Sequence, residues 1–259
     1  MPAPTASETA PAANGTNVNA NGSAVVEAKK VSPPAFDSIE DTIESFKNGN
    51  FVLVLDSASR ENEGDLIIAC THLNTQKMAF MIHHTSGYIC VPLTPSLCTR
   101  LELPQMVDLE KSGDPNRTAY TVTVDAREGT STGISAEDRA RTCRLLADPG
   151  SRAEDFRRPG HIVPLRAREG GIRARFGHTE AAVELCRLAG LPQVGAICEM
   201  VKPGMEVEGV AEREESGMAR RDDCLEFGRR WGIRVCTIED LVEWVEAREG
   251  KLGERGVDY

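Results

Sequence analysis

The stretch Arg60-Glu61-Asn62-Glu63-Gly64-Asp65 sets three carboxylates at alternate positions behind one arginine. It separates two apolar runs, residues 51–55 and 66–69. In an extended backbone, residues two apart point to the same side. Glu61, Glu63 and Asp65 would then share a face and repel one another unless solvent, a cation or arginines neutralise them. A solvated acidic loop would also account for the run. A metal or polyol site is the sharper reading, because a short polar turn would suffice between two buried strands.

A second cluster carries the complementary chemistry. Two of the five histidines, His161 and His178, directly follow a glycine. Arg158-Pro159-Gly160-His161 runs into apolar residues 162–165, and Arg175-Phe176-Gly177-His178-Thr179-Glu180 opens an amphipathic helix. Glycine allows close approach of the backbone to a ligand. A helix N-terminus with an arginine just upstream attracts anions. Imidazole together with carboxylates suits a divalent cation or a proton relay. A histidine held in a turn is the competing structural explanation.

The elements that must position these groups follow from apolar periodicity. Ser38 caps a helix carrying Ile39, Ile43 and Phe46, and further helices are predicted from Thr75 and over 135–147, 222–231 and 239–246. Strands are predicted over 51–56, 66–70, 88–93, 121–124, 162–166, 195–201 and 233–238. Strands and helices alternate irregularly. This predicts an α/β fold over 36–259, a single layered domain with a mixed β-sheet flanked by helices. Residues 1–35 are rich in Ala, Asn, Pro, Ser and Thr, and are expected to form a disordered leader. Residues 205–216 read as an acidic, mobile insert.

Composition narrows the class. The chain has 259 residues and a net charge of −10. Glu8, Glu27, Lys29 and Lys30 cancel in the leader, so the folded part carries the negative charge. That argues against nucleic acid or an anionic membrane as partner. No stretch is long and apolar enough for a membrane span or a secretory signal. The eight cysteines show no two-residue spacing and sit mostly in apolar runs, as buried free thiols do. A reducing, cytoplasmic compartment is expected.

Taken in order, several motifs closely resemble the 3,4-dihydroxy-2-butanone 4-phosphate synthase family of riboflavin biosynthesis. They are the 56–65 segment, His84-Thr85-Ser86-Gly87-Tyr88-Ile89-Cys90, Thr130-Ser131-Thr132-Gly133-Ile134-Ser135-Ala136 and Asp138-Arg139. Arg158-Pro159-Gly160-His161, Gly177-His178-Thr179-Glu180-Ala181 and Cys198-Glu199 complete the set. The resemblance spans residues 39–244, nearly all of the folded part.

The resemblance implies a lyase that converts D-ribulose 5-phosphate into L-3,4-dihydroxy-2-butanone 4-phosphate and formate through metal-stabilised enediolate chemistry. It implies Mg²⁺ or Mn²⁺ held by Glu61 and His178, and a homodimer with its site near the subunit interface. His161 and Glu199 become the acid/base pair. Asp65 would hold substrate hydroxyls, Glu63 would arrange the acidic loop, and Arg60 would contact substrate or balance that loop. Arg175, Thr179 and backbone N–H groups around Gly177 are expected at the phosphate, with Ser131, Thr132 and Gly133 as secondary candidates. Cys90 is a candidate for redox modification. Phe176 departs from the family, where a second glycine is usual. No zinc-cysteine motif of a GTP cyclohydrolase II domain follows, so a monofunctional, fungal-like form is expected. Two other readings remain: a metal-dependent sugar-phosphate aldolase or isomerase, and a non-enzymatic sugar-phosphate-binding regulator.

Overall fold

A computed structural model describes residues 35–252. The predicted leader lies outside the described residues, apart from Ala35. In chain order the first half contains α1 (Ile39–Lys47), β1 (Val52–Leu55), β2 (Gly64–Ala69), α2 (Thr75–His84), β3 (Cys90–Leu93), α3 (Pro95–Arg100), β4 (Val124–Ala126) and α4 (Ala136–Leu146). It continues with β5 (Phe156–Arg166), α5 (His178–Leu188), β6 (Gly195–Glu199), β7 (Val201–Lys202), β8 (Met205–Glu206), β9 (Arg213–Glu214), β10 (Gly217–Met218), α6 (Arg221–Trp231), β11 (Arg234–Thr237) and α7 (Ile238–Glu249).

Seven strands form one mixed sheet in the order β11-β1-β2-β6-β3-β5-β4. The β1/β11 and β3/β5 pairs are parallel, and the remaining neighbours are antiparallel. Strands β1, β2 and β3 are buried throughout, as their apolar character, broken only by Asp65, suits a sheet covered on both faces. Alternation then sorts their side chains. Leu53, Leu66 and Ile68 pack with Met78 and Met81 of α2, Cys143 and Leu146 of α4, and Cys224 of α6. Val52, Val54 and Ile67 pack with Phe46 of α1, Leu185 of α5, and Leu241 and Val245 of α7. The result is three layers, helix–sheet–helix, and the α/β expectation holds.

Local signals mark five of the seven α-helix starts. Ser38, Asn74, Thr94, Ser135 and Thr237 each accept a backbone N–H with the side chain, stopping the helix from fraying. Three expectations need correction. The strand predicted over 121–124 begins only at Val124, because Tyr120 and Thr121 make single bridges to Leu165 and Gln105 instead. Strand β5 starts at Phe156, six residues before Ile162, since a Pro-Gly pair masks its first half. The insert at 205–216, for which no element was predicted, holds a hairpin: β8 and β9 pair, with Arg213 bonded to Pro203 O, Gly204 O and Glu206. All eight cysteines are buried free thiols, as expected.

Candidate active site

The acidic segment is a turn rather than a strand extension. Asp56, at the end of β1, organises it. Asp56 Oδ2 accepts from the Glu61 N–H at 3.0 Å and the Arg60 guanidinium at 2.9 Å, and Oδ1 accepts from the Glu63 N–H at 2.8 Å. Asn62 takes a left-handed backbone, φ 55°, to close the loop. Glu61, Glu63 and Asp65 nonetheless face one cavity, together with Arg60, Cys90, Thr118, Tyr120, Arg175, His178, Thr179 and Glu199. Spacing therefore placed the carboxylates correctly, although the backbone reaching them is not extended throughout.

The electrostatics of that cavity are unfavourable without a counter-charge. Asp65 is buried, and its Oδ1 has no hydrogen-bond partner among the described residues. Burial, then Glu199, Glu61, Glu63 and Asp56, push its carboxyl well above the usual range. Burial also raises Glu61 and Glu63, in Glu61 against the pull of Arg60. Strand pairing explains the crowding: Asp65 of β2 sits opposite Glu199 of β6.

His178 is built as a ligand. Its Nε2 lies 3.2 Å from the Val54 carbonyl oxygen, which can only accept, so the ring proton resides there. The Nδ1 lone pair then faces Asp65 Oδ1 at 3.6 Å and Glu61 Oε2 at 3.8 Å. Burial above all lowers its pKa to about 4, keeping the imidazole neutral. Those separations are too long for hydrogen bonds. They suit donors around one cation, because ligand atoms at ~2.1 Å from an ion lie roughly 3–4 Å apart. Asp56, Glu61 and His178 offer ligand atoms within 4.8 Å of one another. Both Asp56 oxygens already serve the loop, whereas Asp65 Oδ1 is unclaimed. A hard divalent cation fits this oxygen-rich set with one nitrogen.

Helix α5 brings the anion-attracting groups to the same cavity. An added Cβ at its cap, Gly177, would come within 2.3 Å of the Arg175 guanidinium, so a side chain there would displace that group. Arg175 spans Glu180 at 2.6 Å, Thr118 Oγ1 at 3.0 Å and Asn116 O at 3.2 Å. Its charge stands at the helix N-terminus, where the first N–H groups point outward. The Gly177 N–H itself is committed to Arg175 O. Phe176 is exposed, so it neither fills the cavity nor supports its wall.

His161 and Thr132 are not among the residues lining this cavity. His161 lies where β5 departs from β4: Val124 pairs with Ile162, but Asp125 pairs with Arg157, leaving residues 158–161 as a bulge. Asp125 grips the bulge, accepting from the His161 N–H at 2.8 Å and lying 2.8 Å from Nδ1. The Thr132 loop is braced by Asp138, which accepts from Ser131 N–H, Ser131 Oγ and Gly133 N–H. Gly133 has φ 102°, and a Cβ there would strike Asp125 Oδ2 at 2.0 Å. Cys90 lines the cavity as a buried thiol pushed up well above its ordinary value by burial. A redox-reactive cysteine needs the opposite, exposure and thiolate character, so nothing in its surroundings favours that role.

Sequence reasoning assigned no role to Asp56, Asp125 or Ser86. Asp56 had a visible signal, an acid at a strand end facing a loop whose N–H groups need acceptors. Asp125 had none, because its partner lies 36 residues away.

Comparisons with known proteins place the chain in a family. The sequence model of the 3,4-dihydroxy-2-butanone 4-phosphate synthase family matches residues 40–244. The chain is 59% identical to the 3,4-dihydroxy-2-butanone 4-phosphate synthase of Pyricularia oryzae, over 85% of this chain and 94% of that one. It is 54% identical to the synthase of Schizosaccharomyces pombe, over 82% and 98%. The riboflavin biosynthesis protein RibBA of Mycobacterium tuberculosis is 50% identical, with 82% of this chain covering 48% of that longer protein. Among solved structures, a 3,4-dihydroxy-2-butanone 4-phosphate synthase in complex with two magnesium ions superposes with a TM-score of 0.82 and 60% identity, over 84% of this chain and all of that one. The chain belongs to the 3,4-dihydroxy-2-butanone 4-phosphate synthase family, enzymes of riboflavin biosynthesis.

Proposed function

We propose that this enzyme converts D-ribulose 5-phosphate into L-3,4-dihydroxy-2-butanone 4-phosphate and formate. The observation that carries the proposal is the neutral His178 facing the unsatisfied Asp65 and Glu61, beside a helix N-terminus and an arginine. Glu61 and His178 would hold Mg²⁺ or Mn²⁺, with Asp65 oriented toward the same point. When bound, such an ion supplies a Lewis acid for negative charge developing on neighbouring substrate oxygens. The two products together contain all the substrate's atoms, so no oxidant or co-substrate is needed.

The chain's own residues supply the rest. Glu199 takes the proton beside the ketone, and His161, its Nδ1 held by Asp125, delivers protons from its other nitrogen. Arg175 and Thr179 at the start of α5 receive the phosphate. Arg60 and Glu63 hold the acidic turn in shape.

The site is completed by a second copy of the chain. His161 and Thr132 stand outside the cavity that holds Glu199. Exposed apolar side chains adjoin the groups concerned: Tyr88 and Phe176 beside cavity-lining segments, and Ile134 beside the Thr132 loop. Exposed apolar side chains near a site are what a subunit interface covers. The partner subunit would bring its His161 and Thr132 to this cavity. Magnesium is named by the solved relative, and the fit of the donor set supports it here.

Incubation of the enzyme with uniformly ¹³C-labelled ribulose 5-phosphate and Mg²⁺, followed by NMR, tests the reading. Formate and a four-carbon ketone phosphate are expected in equal amounts. Isomerisation or retro-aldol cleavage without formate would refute it in favour of an isomerase or aldolase. An unchanged substrate spectrum would favour a binding protein.

A further inference from the structure

Glu199 is held from a turn that none of the metal, phosphate or proton-transfer assignments uses. Ser86, just after α2, grips the end of β6 twice. Its Oγ lies 2.9 Å from Glu199 Oε2, and its N–H donates to Glu199 O at 2.9 Å. Glu199 Oε1 takes no hydrogen bond from the described residues. A serine hydroxyl has one proton to give. The Tyr88 N–H also points at Ser86 Oγ, at 3.3 Å, so the oxygen already has a donor. Cys198 Sγ is 3.1 Å away, and burial above all pushes that thiol up to about 11, so it carries its proton. The thiol sulfur is only a weak acceptor, so the Glu199 carboxylate is the preferred acceptor for the Ser86 O–H.

The turn itself is over-determined. Thr85 Oγ1 donates to Met81 O at 2.6 Å and accepts from the Gly87 N–H at 3.2 Å. Gly87 sits at φ 73°, where glycine is favoured. From α4, which packs beside α2 in the same layer, the buried Arg139 donates to Gly87 O at 3.0 Å. Its Nε has no partner among the described residues. Burying a guanidinium with one donor unmet is unfavourable. Fold stability alone gives little reason to keep a charge there, and the one hydrogen bond its guanidinium makes among the described residues goes to this turn.

We infer that Ser86 is a positioning residue for Glu199: it holds Oε2, leaves Oε1 as the oxygen offered to substrate, and stands on a turn fixed by Arg139. This rests on the reading of Glu199 as a proton-transfer group. Positioning of that kind is distinguishable from binding, because it lowers kcat while sparing KM.

The test is a double-mutant cycle on the full chain, read as formate release from ribulose 5-phosphate with saturating Mg²⁺. Ser86→Ala should lower kcat about tenfold with KM changed less than about twofold, a scale set by a charge-assisted hydrogen bond. Ser86→Thr, which keeps the hydroxyl, should recover most of the loss. In a Glu199→Gln background, Ser86→Ala should have almost no further effect, since the group it serves is gone. Near-parental kcat in Ser86→Ala would overturn the inference. So would a tenfold loss that persists undiminished in the Glu199→Gln background, even with Glu199 still confirmed as the base. Near-parental turnover of Glu199→Gln alone would instead refute the role of Glu199, and the inference with it.

Discussion

The two histidines that follow glycine are alike in sequence and opposite in construction. His178 is buried, its Nε2 tied to a main-chain carbonyl and its Nδ1 aimed at carboxylates. His161 is exposed, its Nδ1 tied to the buried carboxylate of Asp125 and its Nε2 without a hydrogen-bond partner among the described residues. A carbonyl partner on a buried ring fixes a neutral tautomer with one lone pair in a set direction, which suits ligation. A carboxylate partner on a partly wet ring suits a group that gains and loses protons. The difference teaches that the role of an imidazole is set by what holds its second nitrogen.

The comparison breaks most sharply at the ligand end. Glu61→Gln and His178→Ala should each reduce formate release to the limit of detection while the circular dichroism spectrum is kept. Both should also lose the Mg²⁺-dependent rise in Tm that the parent shows, since an ion that binds only the folded chain stabilises it by mass action. Near-normal turnover of either variant after chelation and Mg²⁺ repletion would refute the ligand assignment.

At the proton-transfer end, Glu199→Gln and His161→Asn should lower kcat by roughly 10²–10⁴-fold, with much less change in KM. Losses under tenfold would mean that another residue carries the proton. Exchange of the substrate C3 hydrogen with D₂O separates the two, because the residue making the first abstraction should lose exchange as well as formate.

Asp125→Asn tests whether the carboxylate behind His161 matters as argued. Partners that orient a histidine typically contribute about 10–100-fold, and a kcat loss in that range is expected with substrate binding retained. The same substitution should leave Mg²⁺ stabilisation untouched, which separates the two histidine sites directly.

A mixing experiment asks whether the two regions meet across subunits. Glu61→Gln and His161→Asn chains are each expected to be inactive. In a mixed dimer, one site would combine an intact Glu61 with the partner subunit's intact His161. Co-refolding equal amounts should recover about one quarter of parental activity, given random pairing of two chains and one good site per mixed dimer. No recovery, with mixed dimers demonstrated by mass spectrometry, would place both residues in one chain's site.

The smallest effect concerns stability. The Asp65 carboxyl is raised above its ordinary value near 3.8 by burial and by neighbouring carboxylates. The unfolded chain releases that proton first, so the folded state loses stability as pH rises through the raised folded value. Metal-free Asp65→Asn should therefore be inactive yet melt higher than the parent at neutral pH. A domain of this size gains about 2–4 °C per kcal/mol. The gap should close as pH falls toward 4, and Mg²⁺ should narrow it by stabilising the parent. A variant that melts lower at neutral pH would show that Asp65 is not under charge strain.

Much of the layered architecture was legible in local patterns. Unbroken apolar runs at 51–55 and 66–69 announced strands buried on both faces, and Ser38 and Ser135 marked helix starts that the structure confirms. The start of β5 was hidden because Arg158-Pro159-Gly160-His161 has turn composition, yet neighbouring strands hold it in the sheet. The hairpin at β8 and β9 was missed for the same reason: its strands are two residues each and take their order from Arg213, not from apolar periodicity.

The sequence by itself determined which groups could do chemistry here: a run of alternating carboxylates, two glycine-led histidines and an arginine ahead of a helix. Those are properties of residue type and near-neighbour spacing, and they survive whatever the chain does elsewhere. Only the tertiary structure decided what each group is for. The pairing of β2 with β6 set Asp65 against Glu199, 134 positions along the chain, and the Val54 carbonyl chose the tautomer of His178 from 124 residues away. Burial, shared charge and the partner on the far nitrogen all depend on contacts between distant segments, which no local pattern encodes.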